Sequence, residues 1–468
     1  MSQYHGLEFD GTSDPFLAPF DQEADLPFSD VLDIQKVQDG FDEHNVSFGS
    51  KKGAIFTPTR TLWVFVLQML SPGMSCVKSA AKVSTLLVVL GLKPCAGRSS
   101  AYCRARAKLP AALIRELTCN AASDLELQIP EQWKFVGRTV KLIDGTTIIM
   151  PDTAENQEQF PQPKSQEPGL GYPMMRLLLV FSMATGMVCN ACFGPCAGKE
   201  TAELALLRQI LDSFSPEDIL LADRFFCSFF MIALVLQRGA QVVFRQHQRR
   251  HTDFRRGRSL GKGDHVVVWK RPARPEWMDE ETYASIPETL ILREVSYQVH
   301  QKGFRTKELV VVTSILDPEE LSAEQITGLY GKRWLAELDI RDNKTTMGMD
   351  RLCCMTPFMI EKELWAHLLG YNMVRKVIAQ AAMIHGRLPR QYSFKTAMDV
   401  LETNWQPLSV AAPAQRAELW WNVPQLISGV TVGNRPGRCE PRAKKYRGKS
   451  LPLLTKPRGE AKAELHAA

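Results

Sequence analysis

Between residues 139 and 348, short apolar runs of strand character alternate with helical runs, and that order leaves few folds open. TVKLIDGTTIIM reads as a strand, LLLVFSM and MVCNACFG as a hairpin about Ala184-Thr185-Gly186, and TAELALLRQILDSF as a helix. DILLADRFF is a strand entering a helix; ELVVVTSIL is a further strand, and SAEQITGLYGKRWLAELDIRDNKTTMG follows as one long helix. Elements mixed in this way bury a sheet between flanking helices, so the expected class is α/β with a mixed sheet.

Read in order, the pattern is three strands, helix, strand, helix, an inserted block, strand, helix. That order resembles a ribonuclease H-like core, split into residues 135–238 and 308–395. The inserted block, residues 239–307, alternates basic turns with VVFRQ, HVVVWK and ETLILREVSYQV and reads as a β-rich subdomain. Upstream, residues 51–125 are helical, with breaks at Ser-Pro-Gly and Lys-Pro-Cys-Ala-Gly, and resemble a small helical DNA-binding domain. Tyr102, Arg104, Arg106 and Lys108 lie close together there and suit either phosphate contacts or an ordinary solvated face.

Charge is divided unevenly. Residues 1–50 carry eleven Asp or Glu against one Lys, within a chain whose net charge is +6. This segment is expected to be an acidic flexible leader, too irregular to pack a core of its own. Arg245 to Arg274 holds ten Lys or Arg against two Asp, and Arg435 to Ala468 ten against three Glu, the latter ending a C-terminal region over 396–468. Two basic runs suit a polyanion partner, although one run alone is more often a solvated face.

Eleven cysteines, an odd number, show no secreted disulfide framework, and the N-terminus lacks signal-peptide character, which points to the cytoplasm. The uncharged stretch Leu177 to Gly198 is broken by Thr185-Gly186 and Gly194-Pro195, so two buried strands are expected rather than a membrane span. Cys189, Cys192 and Cys196 are expected to be buried thiols. His247, His265 and His300 have no repeated ligand spacing.

On a continuous helix Tyr330, Arg333, Glu337, Arg341 and Lys344 fall within an arc of about 80°. A carboxylate flanked by cations and a phenol suits a phosphodiester site, while simple pairing of Glu337 with Arg333 and Arg341 is the plainer alternative. Asp144 follows TVKLI and is either a site acid or part of an Asp-Gly turn. Asp223 ends ILLA and is either a site acid or a helix N-cap. If the three converge, they suit two divalent ions, one activating water and one stabilising the leaving oxygen. Oxygen ligands favour Mg²⁺ or Mn²⁺ over zinc.

These residues resemble the bacterial insertion-sequence transposases of the insertion-sequence-four family. The Tyr-x2-Arg-x3-Glu-x6-Lys signature falls at Tyr330, Arg333, Glu337 and Lys344; Asp144-Gly145-Thr146 and Asp223-Arg224-Phe225 match the contexts of the first two acids. Tyr102 to Pro110 and Arg435 to Arg442 also look like that family. The resemblance implies that Asp144, Asp223 and Glu337 bind the metal ions and that Tyr330, Arg333 and Lys344, with Arg341, grip DNA. It further implies opening of the transposon end by the β-rich block, with Trp269 as the candidate base-stacking wedge or, equally, a residue of that block's core.

The expected activity is cut-and-paste transposition. The enzyme would cleave double-stranded DNA at transposon ends and join the 3′-OH to target DNA, as a homodimer assembled on DNA, with a hairpin during excision implied by the resemblance alone. The alternatives are a transposase-derived DNA-binding protein without catalysis, or a nuclease on the same core without strand transfer.

Overall fold

The computed structural model of the chain describes residues 31–51, 53–71, 73, 75–198, 201–298, 308–433 and 454–467. Most of the acidic leader, His300 and the Arg435 to Arg442 stretch lie outside the described residues. Along the chain the helices α1 (Ile34–Glu43), α2 (Pro58–Leu70), α3 (Cys76–Val89), α4 (Ser100–Arg106) and α5 (Ala111–Gln128) come first. Then come β1 (Val140–Ile149), α6 (Ala154–Gln159), β2 (Met174–Ser182), β3 (Val188–Pro195), α7 (Glu203–Arg208), β4 (Ile219–Ala222), α8 (Phe229–Gln237) and β5 (Gln241–Arg245). β6 (Arg258–Gly261), β7 (Asp264–Lys270), α9 (Glu280–Ser285), β8 (Thr289–Gln298), β9 (Glu308–Thr313), α10 (Ala323–Gly331) and α11 (Trp334–Arg341) follow. The last helices are α12 (Pro357–Ile384), α13 (Phe394–Val410), α14 (Pro413–Ser428) and α15 (Arg458–Ala467).

These elements form two compact units. The first comprises Met1–Trp133, Ala184–Cys189 and Asp339–Gly433; the second comprises Lys134–Met183, Asn190–Leu338 and Asn434–Ala468.

The first unit is helical and organised by α12, which packs on α2, α5, α13 and α14. The helical segment expected at 51–125 therefore shares its core with helices from the C-terminal third of the chain. Its apolar faces explain this: Trp63, Phe65, Val66, Leu113, Ile114 and Leu117 are all buried, more apolar surface than a short bundle covers alone. Within α12, Asn372 donates to the Thr118 carbonyl at 2.9 Å, tying α12 to α5.

The acidic leader expected over 1–50 needs correction at its end. Ile34–Glu43 is a helix whose N-cap, Asp33, accepts from the Gln35 and Lys36 amides. Val37 and Phe41, one helical turn apart, are buried, and Gly40 lets the Leu113 side chain approach to 2.7 Å of where a Cβ would stand. Lys36 pairs with Asp124 at 2.6 Å. Three buried apolar or small positions, Val37, Gly40 and Phe41, outweigh the acidic composition around them.

The second unit is built on a mixed sheet of order β3-β2-β1-β4-β5-β9-β8-β7-β6 among the described residues. β1 runs parallel to β4, and β4 to β5, while β1–β2 and all pairs from β5 to β6 are antiparallel. The expected mixed sheet is present, but VVFRQ does not belong to a separate block. It is β5, lying beside β4 with Val242, Val243 and Phe244 fully buried, as a short run covered on both faces must be. β6 to β9 extend this same sheet rather than forming a detached subdomain. Leu177 to Gly198 is β2, a turn at Gly186 with φ +78°, and β3, as expected. No helix among the described residues is long and apolar enough to cross a membrane.

Candidate active site

The parallel pairing of β1 with β4 positions the first two acids. Leu142 lies opposite Leu221, the last pair of that register, so Asp144 and Asp223 each come two residues after the last paired residues of neighbouring parallel strands, near enough for the charge of Asp223 to act on Asp144. Asp144-Gly145 is not a turn: β1 continues past it, with Asp144 opposite Leu179 and Gly145 opposite Leu178 of β2. Asp223 follows the last residue of β4 and accepts from the Phe225 amide at 2.7 Å. It does not cap α8, whose N-cap is Ser228.

The Asp144 side chain is 21% exposed. Burial pushes its pKa up to about 6, against the pull of Arg333 and of the Gly145 amide at 2.9 Å; the charges of Glu337 and Asp223 add to the rise. A buried carboxylate whose one cationic neighbour does not offset its desolvation is a site where further positive charge is favourable.

The long helix expected to carry the third acid is interrupted. α10, started by a Ser322/Gln325 capping box, ends at Gly331, and α11 begins at Trp334. Across the junction Leu335 and Ala336 donate to the Lys332 and Arg333 carbonyls at 3.0 Å, three residues back, the tighter 3₁₀ pattern. Asp342–Thr346 then forms a π-turn. Gly328 and Gly331 lower the helix propensity of this stretch, and the uniform rotation behind a single face fails at the junction before Trp334 and again from Asp342, ahead of Lys344.

Arg333 nevertheless keeps its partner four residues on, with Nη2 2.6 Å from Glu337 Oε1. Its Nη1 lies 3.7 Å from Asp144 Oδ2, so one guanidinium links the helix acid to the strand acid. Glu337 is 59% exposed. Tyr330 is buried and its hydroxyl engages Arg333; burial raises its pKa, opposed by Arg333 and Arg245. Arg341 does not pair with Glu337: its contact is Asp342, at 3.7 Å. Arg341 and Lys344 belong to the first unit, whereas Tyr330, Arg333, Glu337, Asp144 and Asp223 all belong to the second.

Trp269 is corrected. It is 4% exposed, its indole N–H donates to Glu294 Oε1 at 3.0 Å, and the Arg250 guanidinium covers its ring at 3.6 Å. Glu294 also accepts from Thr252 and engages His265. A buried indole covered by a guanidinium and bonded at its nitrogen is a core residue, not an exposed stacking platform. Cys189, Cys192 and Cys196 are partly exposed thiols rather than buried ones.

Sequence reasoning missed Glu203, on which the charge of Asp223 acts, and Arg245, whose charge acts on Tyr330. Glu203 opens α7 and reads from sequence as an ordinary acid in a helix's first turn; no spacing ties it to Asp144.

The donors are all carboxylate oxygens, which suit a hard divalent cation. As they stand, no three His, Cys, Asp or Glu side chains among the described residues are close enough to share one ion, because the Arg333 guanidinium lies between Asp144 and Glu337. The uncompensated burial of Asp144 is the feature that fits such a cation.

A mixed sheet with one carboxylate on β1 and another just past the end of the parallel β4, beside arginine and a phenol, has the makings of a phosphodiester-processing enzyme. Residues 136–373 match the family described as Transposase DDE domain, and the chain belongs to that family of DNA transposases, whose members work with divalent metal ions. It is 28% identical over 365 residues to the transposase InsG for insertion sequence element IS4 of Escherichia coli (strain K12), covering 76% of this chain and 78% of that one. The expectation of an insertion-sequence-four transposase is thereby borne out. Among solved structures, a cryo-EM structure of the piggyBac transposase synaptic complex with hairpin DNA is similar at a TM-score of 0.40 and 12% identity, covering 92% of this chain and 88% of that one.

Proposed function

We propose that Asp144, Asp223 and Glu337 hold two divalent cations, Mg²⁺ or Mn²⁺, and that the chain uses them to cut double-stranded DNA at transposon ends and join the freed 3′-OH to target DNA. The observation that carries this reading is the parallel pairing of β1 with β4, whose last pair, Leu142 and Leu221, precedes Asp144 and Asp223 by two residues each. The strand order β3-β2-β1-β4-β5, with β1, β4 and β5 parallel, further supports a ribonuclease H-like core.

When bound, the ions would supply an activated water or 3′-OH and charge stabilisation of the leaving oxygen. The chain's own residues do the rest. Asp144 and Asp223 are fixed by the sheet and set where the scissile phosphate can lie. Arg333, paired with two carboxylates, is a guanidinium able to turn to a phosphate oxygen. Tyr330 holds it from the buried side. Lys344 and Arg341 supply further phosphate contacts, and two copies assembled on DNA would treat the two ends together. Such work on bacterial DNA belongs in the cytoplasm.

Joining of a labelled duplex, carrying the inverted repeats that flank the coding region, into a supercoiled plasmid tests the reading. Mg²⁺-dependent joined products are expected. Cutting without joining would select the nuclease alternative, and binding with neither would select the DNA-binding one.

A further inference from the structure

Gly145, next to Asp144, leaves a gap that a fourth carboxylate fills. A Cβ built on Gly145 would stand 2.3 Å from both Cδ and Oε1 of Glu203 and 2.7 Å from its Cγ. The Glu203 carboxyl group thus rests against the bare α-carbon of β1. Gly145 sits in the middle of a regular strand paired on through Ile149, and it is not among the residues of positive φ. Backbone conformation therefore does not require glycine here; close approach of the Glu203 side chain does.

The neighbouring structure holds Glu203 at that spot. α7, which it opens, packs on β2. Arg176 of β2, opposite Thr147 of β1, donates to the Thr201 carbonyl at 3.0 Å and fixes the entry to the helix. Burial is the main influence raising the Glu203 pKa; Arg176 opposes it, and the charge of Asp223 adds to it. Glu203 thus lies against the residue that follows one aspartate and within the field of the other.

We propose that Glu203 is a further metal-holding carboxylate of this site, acting with Asp144 and Asp223, and that Gly145 is glycine to admit it. The proposal rests on the reading that those two aspartates bind the ions. The Glu203 group is a hard oxygen donor of the same kind as theirs. Unlike the exposed Glu337, it is partly buried against β1. Its side chain is flexible and would have to turn toward Asp144 and Asp223 to share a cation with them, since no three such side chains among the described residues are close enough as they stand.

Mn²⁺ alone is the probe, titrated into the full chain and followed by the EPR signal of the free ion. Glu203→Gln and Gly145→Ala are each expected to weaken Mn²⁺ binding by about tenfold or more, with far-ultraviolet circular dichroism like that of the unsubstituted protein. Asp144→Asn provides the reference loss. Unchanged binding in Glu203→Gln and Gly145→Ala beside weakened binding in Asp144→Asn overturns the proposal and leaves the aspartate reading in place. Unchanged binding in all three overturns both. Should Glu203→Gln fail to fold, Gly145→Ala still decides, because the three atoms nearest the added methyl all belong to the flexible Glu203 side chain.

Discussion

The guanidinium of Arg333 stands 3.7 Å from the carboxylate of Asp144. Its second terminal nitrogen is bonded to Glu337 at 2.6 Å, so a single positive charge is divided between an acid on a strand and an acid on a helix. Burial of the Asp144 carboxyl outweighs the pull of that shared charge and pushes its pKa up to about 6.

Stability should therefore depend on pH through Asp144. Because its folded-state pKa is raised from 3.8, its favourable contribution is complete below about pH 4 and is lost as pH rises through 6. The charged form costs the metal-free protein at most about 3 kcal/mol at pH 8. Asp144→Asn is expected to raise Tm at pH 8 in EDTA while leaving it nearly unchanged at pH 4. Equal Tm in the two proteins at pH 8 would contradict the assigned strain.

Arg333→Ala and Lys344→Ala should weaken DNA binding at all sequences. Each is expected to lower the slope of log K against log salt concentration by about one, as for one lost phosphate contact. Fluorescence anisotropy across a salt series reads this slope directly, and an unaltered slope would remove the residue concerned from the DNA-contacting set.

Trp269→Phe removes one donor from Glu294, whose carboxylate is buried. The expected consequence is a stability loss of about 1–3 kcal/mol in urea denaturation, with cleavage by the folded protein little altered. A variant of full stability that fails only on DNA would return Trp269 to the role of a stacking wedge.

His367 lies fully buried in α12, and its two ring nitrogens have no hydrogen-bond partner among the described residues. Burial lowers its pKa to about 3. A histidine depressed in the folded state contributes fully above its unfolded value of about 6.5, and this contribution is lost as pH falls toward 3. His367→Met should accordingly flatten the acid limb of the stability profile between pH 6 and 4, measured by thermal unfolding. An acid limb as steep as that of the unsubstituted protein would show that His367 is protonated within the fold.

Residues that announce themselves by local order were legible in the sequence. Asp144 and Asp223 each end an apolar run, and Arg333 and Glu337 are four apart, a spacing that survives the break between α10 and α11 because it needs only one turn. The break itself was hidden, since two glycines in an otherwise periodic run leave the pattern intact. β5 was hidden because a run as short as VVFRQ is the same whether it joins a parallel core or a hairpin; only its pairing with β4 decides. The sequence left Trp269 open between wedge and core because its partner Glu294 is 25 residues away. Glu203 was missed because its proximity to Gly145 depends on how α7 packs against β2.

Cleavage of a duplex carrying the transposon end, in Mg²⁺, by Asp144→Asn, Asp223→Asn and Glu337→Gln proteins bears most directly on the three-acid site. Each substitution is expected to lower the cleavage rate by on the order of 10³-fold or more, with gel-shift affinity for the same duplex retained. Full cutting by any one of the three would contradict the place given to that residue, and full cutting by all of them would contradict the site.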